Sequence, residues 1–280
     1  MCMHYQEYSP VPALRSVVER IWTLTGTAAD LGGEDQPVLP DGRPELILHL
    51  GDRFDRIDAN GRVDRQPAAI FAGQLTSQLT LRPTGRIDVV GVRFHPFGAV
   101  SLGFGPLSRL SGLTIGVGDV SSRLASALDQ VRGATGDVSV AASLVQRALL
   151  RLTDVARIDD RVRHATRLIG HHRGQVSIDR VAANLSCTRR HLERQFLAAV
   201  GVGPKRLARI ARFQHALQLI DRADPARPGT ATAAACGYAD QAHFIRDFRK
   251  LAGCSPGEHL LKPGTLTGFF TEHEKLTMKP

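Results

Sequence analysis

The chain has 280 residues, 42% of them hydrophobic, and a formal net charge of +9. That length accommodates two domains, each burying its own core, and the composition is that of an ordinary globular protein. No run approaches the ~18 apolar residues of a membrane span, and the opening "MCMHYQEYSP" lacks the basic-then-apolar order of a signal peptide. The four cysteines (Cys2, Cys187, Cys236 and Cys254) contain no CxxC pair, so neither a zinc site nor a disulfide framework is expected, which suits a reducing cytosol.

In chain order, a short helix is expected over 10–21, where Leu14, Val17, Val18 and Ile21 would share a face. Residues 1–115 otherwise read as β. The runs "PELILHLGD" (44–52), "AIFAGQLTS" (69–77), "LTLRP" (79–83) and "RIDVVGVRFHP" (86–96) are apolar or alternating, with turn chemistry at "PDGRP" (40–44) and "DANGR" (58–62). A small sheet or barrel is the expected outcome. Two amphipathic helices follow, with apolar positions Leu124, Leu128 and Val131 in one and Val140, Leu144, Val145, Ala148, Leu149 and Leu152 in the other. They read either as core packing or as a dimer seam, and periodicity does not choose. The polar stretch 153–160 is the expected boundary. Beyond it the pattern is helical, with N-caps at Asp159, Ser177 and Thr188, a long helix from Pro204, a break at "DPARPG" (224–229), and helices near 230–236, 240–251 and after Pro256.

The C-terminal part contains a repeat. Shifted by 52 residues, Ala182 falls on Ala234, Thr188 on Asp240, His191 on His243, Leu192 on Phe244, Arg194 on Arg246, Phe196 on Phe248, Gly201 on Gly253 and Pro204 on Pro256. The repeating unit is a short helix, a tight turn and a second helix with one apolar face: a helix-turn-helix, present twice. The helix between the units, at 1.5 Å per residue, is about 26 Å long. Successive major-groove faces on one side of B-DNA lie ~34 Å apart. With the width of the units added, such a rod could set both second helices into adjacent grooves. Residues 157–262 also hold 19 basic and 9 acidic residues against 17 and 18 elsewhere, so the excess positive charge sits with the repeat.

The stretches "VAANLSCTRRHLERQFLAAVGVGPKRLARIARFQHALQLI" (181–220) and "AAACGYADQAHFIRDFRKLAGCSP" (233–256) resemble the AraC/XylS family of bacterial transcription regulators, over roughly residues 160–262. The motifs "LPDGRPELILHLGD" (39–52) and "GVRFHPFGA" (91–99) resemble a domain of unknown function often found in front of this module. The resemblance implies an α+β chain: a β-rich regulatory domain over 1–118, a helical linker or dimerisation pair over 119–156, a double helix-turn-helix over 157–262, and a tail over 263–280. Gly203 departs from the family, which usually has serine there; Ser255 keeps it in the second unit. Ala233 stands where a branched aliphatic residue is usual.

The resemblance also implies which residues meet DNA. In the first unit Arg190, Glu193 and Arg194 lie on the polar face of the recognition helix, and Arg189 sits nearer its start, suited to phosphate. Arginine can pair bidentately with guanine, and glutamate can accept from cytosine. The equivalents in the second unit are Ala242, Ile245 and Arg246, with Gln241 suited to adenine and Ile245 to a thymine methyl. Arg249 and Lys250 are suited to the backbone, which orients without specifying. His191 and His243 read as packing or phosphate residues, and Leu192, Phe196, Phe244 and Phe248 as core. Cys187 and Cys236 occupy apolar positions, where buried, inert thiols are expected.

The N-terminal region is less explicit. His49 and His95 fall on expected strands as satisfied strand histidines; no His-x-His pair points to a metal. Asp41, Arg43 and Glu45 form a charged turn, able either to bind an effector or to lock itself by ion pairing. No nucleophile–base constellation is visible, and neither an enzymatic activity nor a cofactor is expected. The function expected is a cytoplasmic, sequence-specific transcription regulator, activator or repressor, modulated by an effector or by dimerisation. Its expected partners are double-stranded DNA, RNA polymerase, a small-molecule effector and a second copy of the chain, with no membrane. The rivals are a non-specific architectural DNA-binding protein, a protein-binding adaptor, and a DNA-repair alkyl-transfer enzyme with an AraC-like tail. The adaptor leaves the basic repeat unexplained, and the enzyme would need an N-terminal cysteine cluster where only Cys2 precedes Cys187.

Overall fold

Alternation along "ELILH" decides the N-terminal architecture. Leu46 and Leu48 point to one side of their strand, Glu45, Ile47 and His49 to the other, and both sides are covered. The computed structural model describes residues 3–154, 158–220 and 230–260. Two antiparallel sheets are present. The larger takes β1 (His4–Tyr8), β2 (Val18–Thr27), β9 (Arg86–Phe94), β4 (Glu45–His49), β7 (Ala69–Ala72) and β10 (Thr114–Gly116), in that spatial order. The smaller takes β3 (Gln36–Val38), β8 (Leu79–Arg82), β5 (Asp55–Ile57) and β6 (Val63–Arg65). Among the described residues the sheets do not close into a barrel, so only the sheet half of that expectation stands.

One row of the larger sheet aligns Trp22, Gly91, Ile47 and Ile70 across four strands. A side-chain carbon on Gly91 would fall 2.0 Å from the Trp22 indole, so only glycine lets that ring lie flat on the sheet. This inner face, with Leu24, Phe54, Ile87 and Val89, forms a buried cluster between the sheets. The outer face, with Ile21, Leu46, Leu48, Phe71, Val90, Val92 and Phe94, packs under α1 (Ser122–Ala134) and α2 (Val138–Leu152). These two helices cover the sheet with one face. Leu124, Leu128, Val131, Val145 and Leu149 are buried, whereas Val140 is 46% exposed.

The helix expected over 10–21 is corrected. A short 3₁₀ turn spans Pro12–Leu14, and β2 begins at Val18. The four apolar residues are all buried, but three are β-branched or feed a strand covered on both faces, so the helical spacing was produced by a turn running into a strand. The expected strands 44–52 and 69–77 end early, at His49 and Ala72.

The remaining helices follow the caps. They are α3 (Asp160–His171), α4 (Ile178–Asn184), α5 (Arg189–Ala199), α6 (Pro204–Ile220), α7 (Thr230–Ala235), α8 (Gln241–Ala252) and α9 (Pro256–Leu260). Asp159, Ser177 and Thr188 each accept a backbone N–H at the helix start. The connector 224–229 and the tail 263–280 lie outside the described residues, as does part of the boundary stretch 153–160. No helix among the described residues is long and apolar enough to cross a membrane.

Candidate nucleic-acid interface

Each helix-turn-helix unit presents its second helix by the same local device. Thr188 Oγ1 accepts from the His191 amide at 3.1 Å, and Asp240 Oδ1 accepts from the His243 amide at 2.6 Å, at positions 52 apart. The caps fix the first turns of α5 and α8. Leu192 and Phe196 then bury one face of α5, and Phe244 and Phe248 one face of α8. What remains outside is polar. Arg189, Arg190 and Arg194 are exposed on α5, and Gln241, Ala242, Arg246, Arg249 and Lys250 are exposed on α8. Arg190 and Arg246 have no ion-pair partner among the described residues. Arg189 reaches Asp179 of α4 at 3.4 Å, and Arg194 lies 3.3 Å from His191 Nδ1.

Two residues in this set are placed differently from their neighbours. Ile245 is half-buried against the second unit's core. Glu193 turns toward the start of α6: a side-chain carbon on Gly203 would lie 2.5 Å from its Oε1. The second unit is capped in the usual way, with the Ser255 amide donating to Glu258 at 2.6 Å and the Glu258 amide donating to Ser255 Oγ at 3.3 Å. In the first unit Gly203 has no such side chain, and the Glu193 carboxylate fills that space near the positive end of α6.

Both units are built on α6. Leu207 and Ala208 belong to the core shared by the first unit and the N-terminal domain, while Ile210, Phe213, Ala216, Leu217 and Ile220 belong to the core of the second. Polar contacts reinforce the joint. Arg209 of α6 pairs with Asp247 of α8 at 3.0 Å, and Arg212 lies 5.3 Å from the Tyr238 ring centre. Arg173 donates to His215 Nε2 at 2.8 Å, which leaves Nδ1 to face Cys236 Sγ at 3.6 Å. Burial lowers the His215 pKa, with Arg173 adding to it, and pushes the Cys236 thiol up to about 11. Cys236 is fully buried, as expected; Cys187 is only half-buried, because the turn before Thr188 leaves it near the surface. His243 packs on Tyr238 at 5.3 Å between ring centres, and lies 3.8 Å from Asp247.

Sequence reasoning passed over Lys205 and Arg206. Both are exposed at the start of α6 and line, with Lys250 and with Thr76 and Ser108 of the N-terminal domain, an open groove. The signal was their place beside Pro204, which puts them in the first turn of the joining helix.

In the N-terminal domain the charged turn is locked by ion pairs. Arg93 is 4% exposed and donates to Asp41 at 2.9 Å and to Glu45 at 2.8 Å. Burial alone would lower the Arg93 pKa, but Asp41, Glu45 and Glu19 raise it well above the ordinary guanidinium value. Arg43 pairs with Glu19. Burial would raise Glu19, yet Arg43, Arg93 and Arg20 outweigh it and hold the carboxyl at about 2. His95 faces the Arg15 carbonyl at 3.2 Å. His49 is buried, and its strand carries the ring into the space between the sheets, where the Gln66 side chain is its hydrogen-bonding neighbour without good alignment. No cluster of three or more metal-ligating side chains occurs among the described residues.

Residues 181–261 match a helix-turn-helix domain family, HTH_18, and residues 6–115 match a domain of unknown function, DUF6597. A probable AraC family transcriptional regulator from Rhodopseudomonas palustris CGA009 is 30% identical, over 36% of this chain and 95% of that one, with a TM-score of 0.32. ToxT from Vibrio cholerae strain SCE256, in its unsaturated fatty acid-bound form, is 14% identical over 87% of this chain and 94% of its own, with a TM-score of 0.42. The AraC-like transcriptional activator CuxR is 15% identical over 77% and 86%, with a TM-score of 0.27. No curated protein matches the chain.

Proposed function

The chain belongs to the AraC family of DNA-binding transcription regulators, and from that premise we propose that it reads two adjacent major-groove segments, one with α5 and one with α8. The observation that carries this reading is the shared helix: two capped, arginine-bearing helices both pack on α6, which fixes their separation. Arg190 and Arg194 of α5 and Gln241 and Arg246 of α8 contact base edges, with Ala242 and Ile245 limited to apolar contact. Arg189, Arg249 and Lys250, joined by Lys205, hold phosphates. Glu193 reads a base only by leaving Gly203, so its main work is at the start of α6.

The N-terminal domain acts as the regulatory part, working in the cytoplasm where the DNA is. An effector there would bias the DNA-competent arrangement, which requires that it bind one state better than another. A second copy docking on α1 and α2, where Val140 and Leu150 are exposed, and contact with RNA polymerase complete the reading.

The test is selection of bound duplexes from a random pool at a stated salt concentration, for the natural chain, Arg194→Ala and Arg246→Ala. Two short enriched elements about one helical turn apart are expected, with each substitution relaxing one of them. Absence of enrichment, or identical behaviour of all three proteins, would overturn the reading in favour of an architectural binder.

A further inference from the structure

A cavity of about 100 Å³ lies between the two sheets of the N-terminal domain. Its walls are mostly apolar, with Leu24, Ile47, Phe54, Ile70, Leu81 and Val89 among them, and Trp22 forms part of one side. Two features of its polar wall restrict what it can hold. The charged groups are already matched: Arg93 is held by Asp41 and Glu45, and Arg43 by Glu19. An anionic ligand would meet Asp41 and Glu45 with no cation to spare, and a cation would compete with Arg93 for them. Farther along β4 the situation reverses. His49 and Gln66 line the cavity and are 1% and 4% exposed; the Gln66 side chain hydrogen-bonds loosely to the His49 ring, and His49 Nδ1, His49 Nε2 and Gln66 Nε2 keep no well-aligned partner. Buried polar groups in that state cost stability until something satisfies them. A neutral imidazole offers one donor and one acceptor, and an amide nitrogen only donates. A hydroxyl, which both donates and accepts, fits that pair.

The volume sets the scale. An apolar cavity of ~150 Å³ holds benzene, with its six non-hydrogen atoms, so about 100 Å³ corresponds to roughly four non-hydrogen atoms, a short branched chain.

The cavity also touches the DNA-binding helices through two loops. In the first, Leu39 and Asp41 line the cavity, while the Pro40 carbonyl accepts from Gln214 of α6 at 2.6 Å. Gly42, at φ +79, packs on Leu207 and Ile210 where any side chain would be strained. Leu39 is itself part of the second unit's core. In the second loop, Leu75 and Leu79 line the cavity, while the Thr76 carbonyl accepts from Arg206 at 3.4 Å and the Gln78 amide lies against Gly253.

We propose that this cavity binds a small, uncharged, largely apolar alcohol, its hydroxyl held by His49 and Gln66 and its bulk pressing on the loops 39–42 and 75–79 that grip α6 and the second unit. This rests on the effector reading above and gives it a site, a ligand class and a route to the DNA-binding helices.

Trp22 is the single tryptophan of the chain, so its fluorescence reports the cavity directly. The full chain is titrated with propan-2-ol and with acetate, each of four non-hydrogen atoms, at neutral pH. A saturable change with propan-2-ol is expected, with at least tenfold weaker binding of the carboxylate. His49→Leu and Gln66→Leu should each weaken propan-2-ol about tenfold, and circular dichroism checks that the variants are folded. Equal or tighter binding of the carboxylate, or no response of Trp22 to either compound, overturns the ligand class. In the same samples, hydrogen exchange of the amides in 207–217 should change on saturation, and unchanged exchange overturns the coupling to α6. DNA selection by the free chain does not depend on either result, so failure here and failure of the two-groove reading are separately visible.

Discussion

His49 is kept neutral by its surroundings. Burial pulls its pKa from 6.5 to about 4, against an opposing hydrogen bond from the Gln66 side chain and with the charges of Arg132 and Arg53 adding to the fall. The unfolded chain therefore takes up the proton first. The stability contribution of a neutral His49 is complete above its ordinary value of 6.5 and is lost as the pH falls from there toward about 4. The full effect is roughly 3 kcal/mol. His95 and His215, whose pKa values burial also lowers, act in the same sense, while Glu19, held at about 2, loses its contribution only below its ordinary 4.5. His49→Leu should accordingly lose less stability between pH 7 and pH 5 than the natural chain, by roughly 2 kcal/mol in urea unfolding. Equal losses would show that His49 is not held neutral. The sequence marks His49 only as a strand residue. Whether its ring finds a partner depends on Gln66 and on the facing sheet, which local pattern does not encode. The same holds for Arg93, whose two carboxylates come from Asp41 and Glu45, about fifty residues away along the chain.

At the scale of elements, what can be read from sequence is what is settled within a few residues. Thr188 and Asp240 lie three residues before the amides they cap, so both recognition helices start where the sequence places them. Removing either cap, as Thr188→Ala or Asp240→Ala, should cost about 1 kcal/mol. The effect on DNA should be local: footprinting of a selected site should show weakened protection of one element and an unchanged second element. Uniform weakening of both would mean that the caps serve the whole fold and not the reading helix. The strands were harder to read. β1, β3, β5, β6 and β10 are only three to five residues long, too short to show a period, and β3 and β10 are held by partners distant in sequence, as in the pairing of Gln36 with Leu81. The segment 10–21 misled because apolar spacing of three and four arises equally from a helix and from a turn entering a strand buried on both faces.

For the whole molecule, α6 is the organising element. Its first turns belong to one core and the rest to another, and Arg209–Asp247 ties the second recognition helix to it by charge as well as packing. The repeat spacing and the length of α6 were legible from the sequence; the grip of loops 39–42 and 75–79 on it was not, because those contacts join residues more than 120 positions apart. The central claim is that two helices on one rod read one face of DNA. The most direct test is to insert base pairs between the two selected elements and measure affinity at fixed salt. An insertion of about half a helical turn moves the second element to the opposite face, and binding should fall to that of a single element. An insertion of about a full turn restores the face but exceeds the reach of a rod about 26 Å long, so binding should stay at the single-element level. Affinity unchanged by either insertion, or recovered by the full turn, would contradict a rigid two-groove reader.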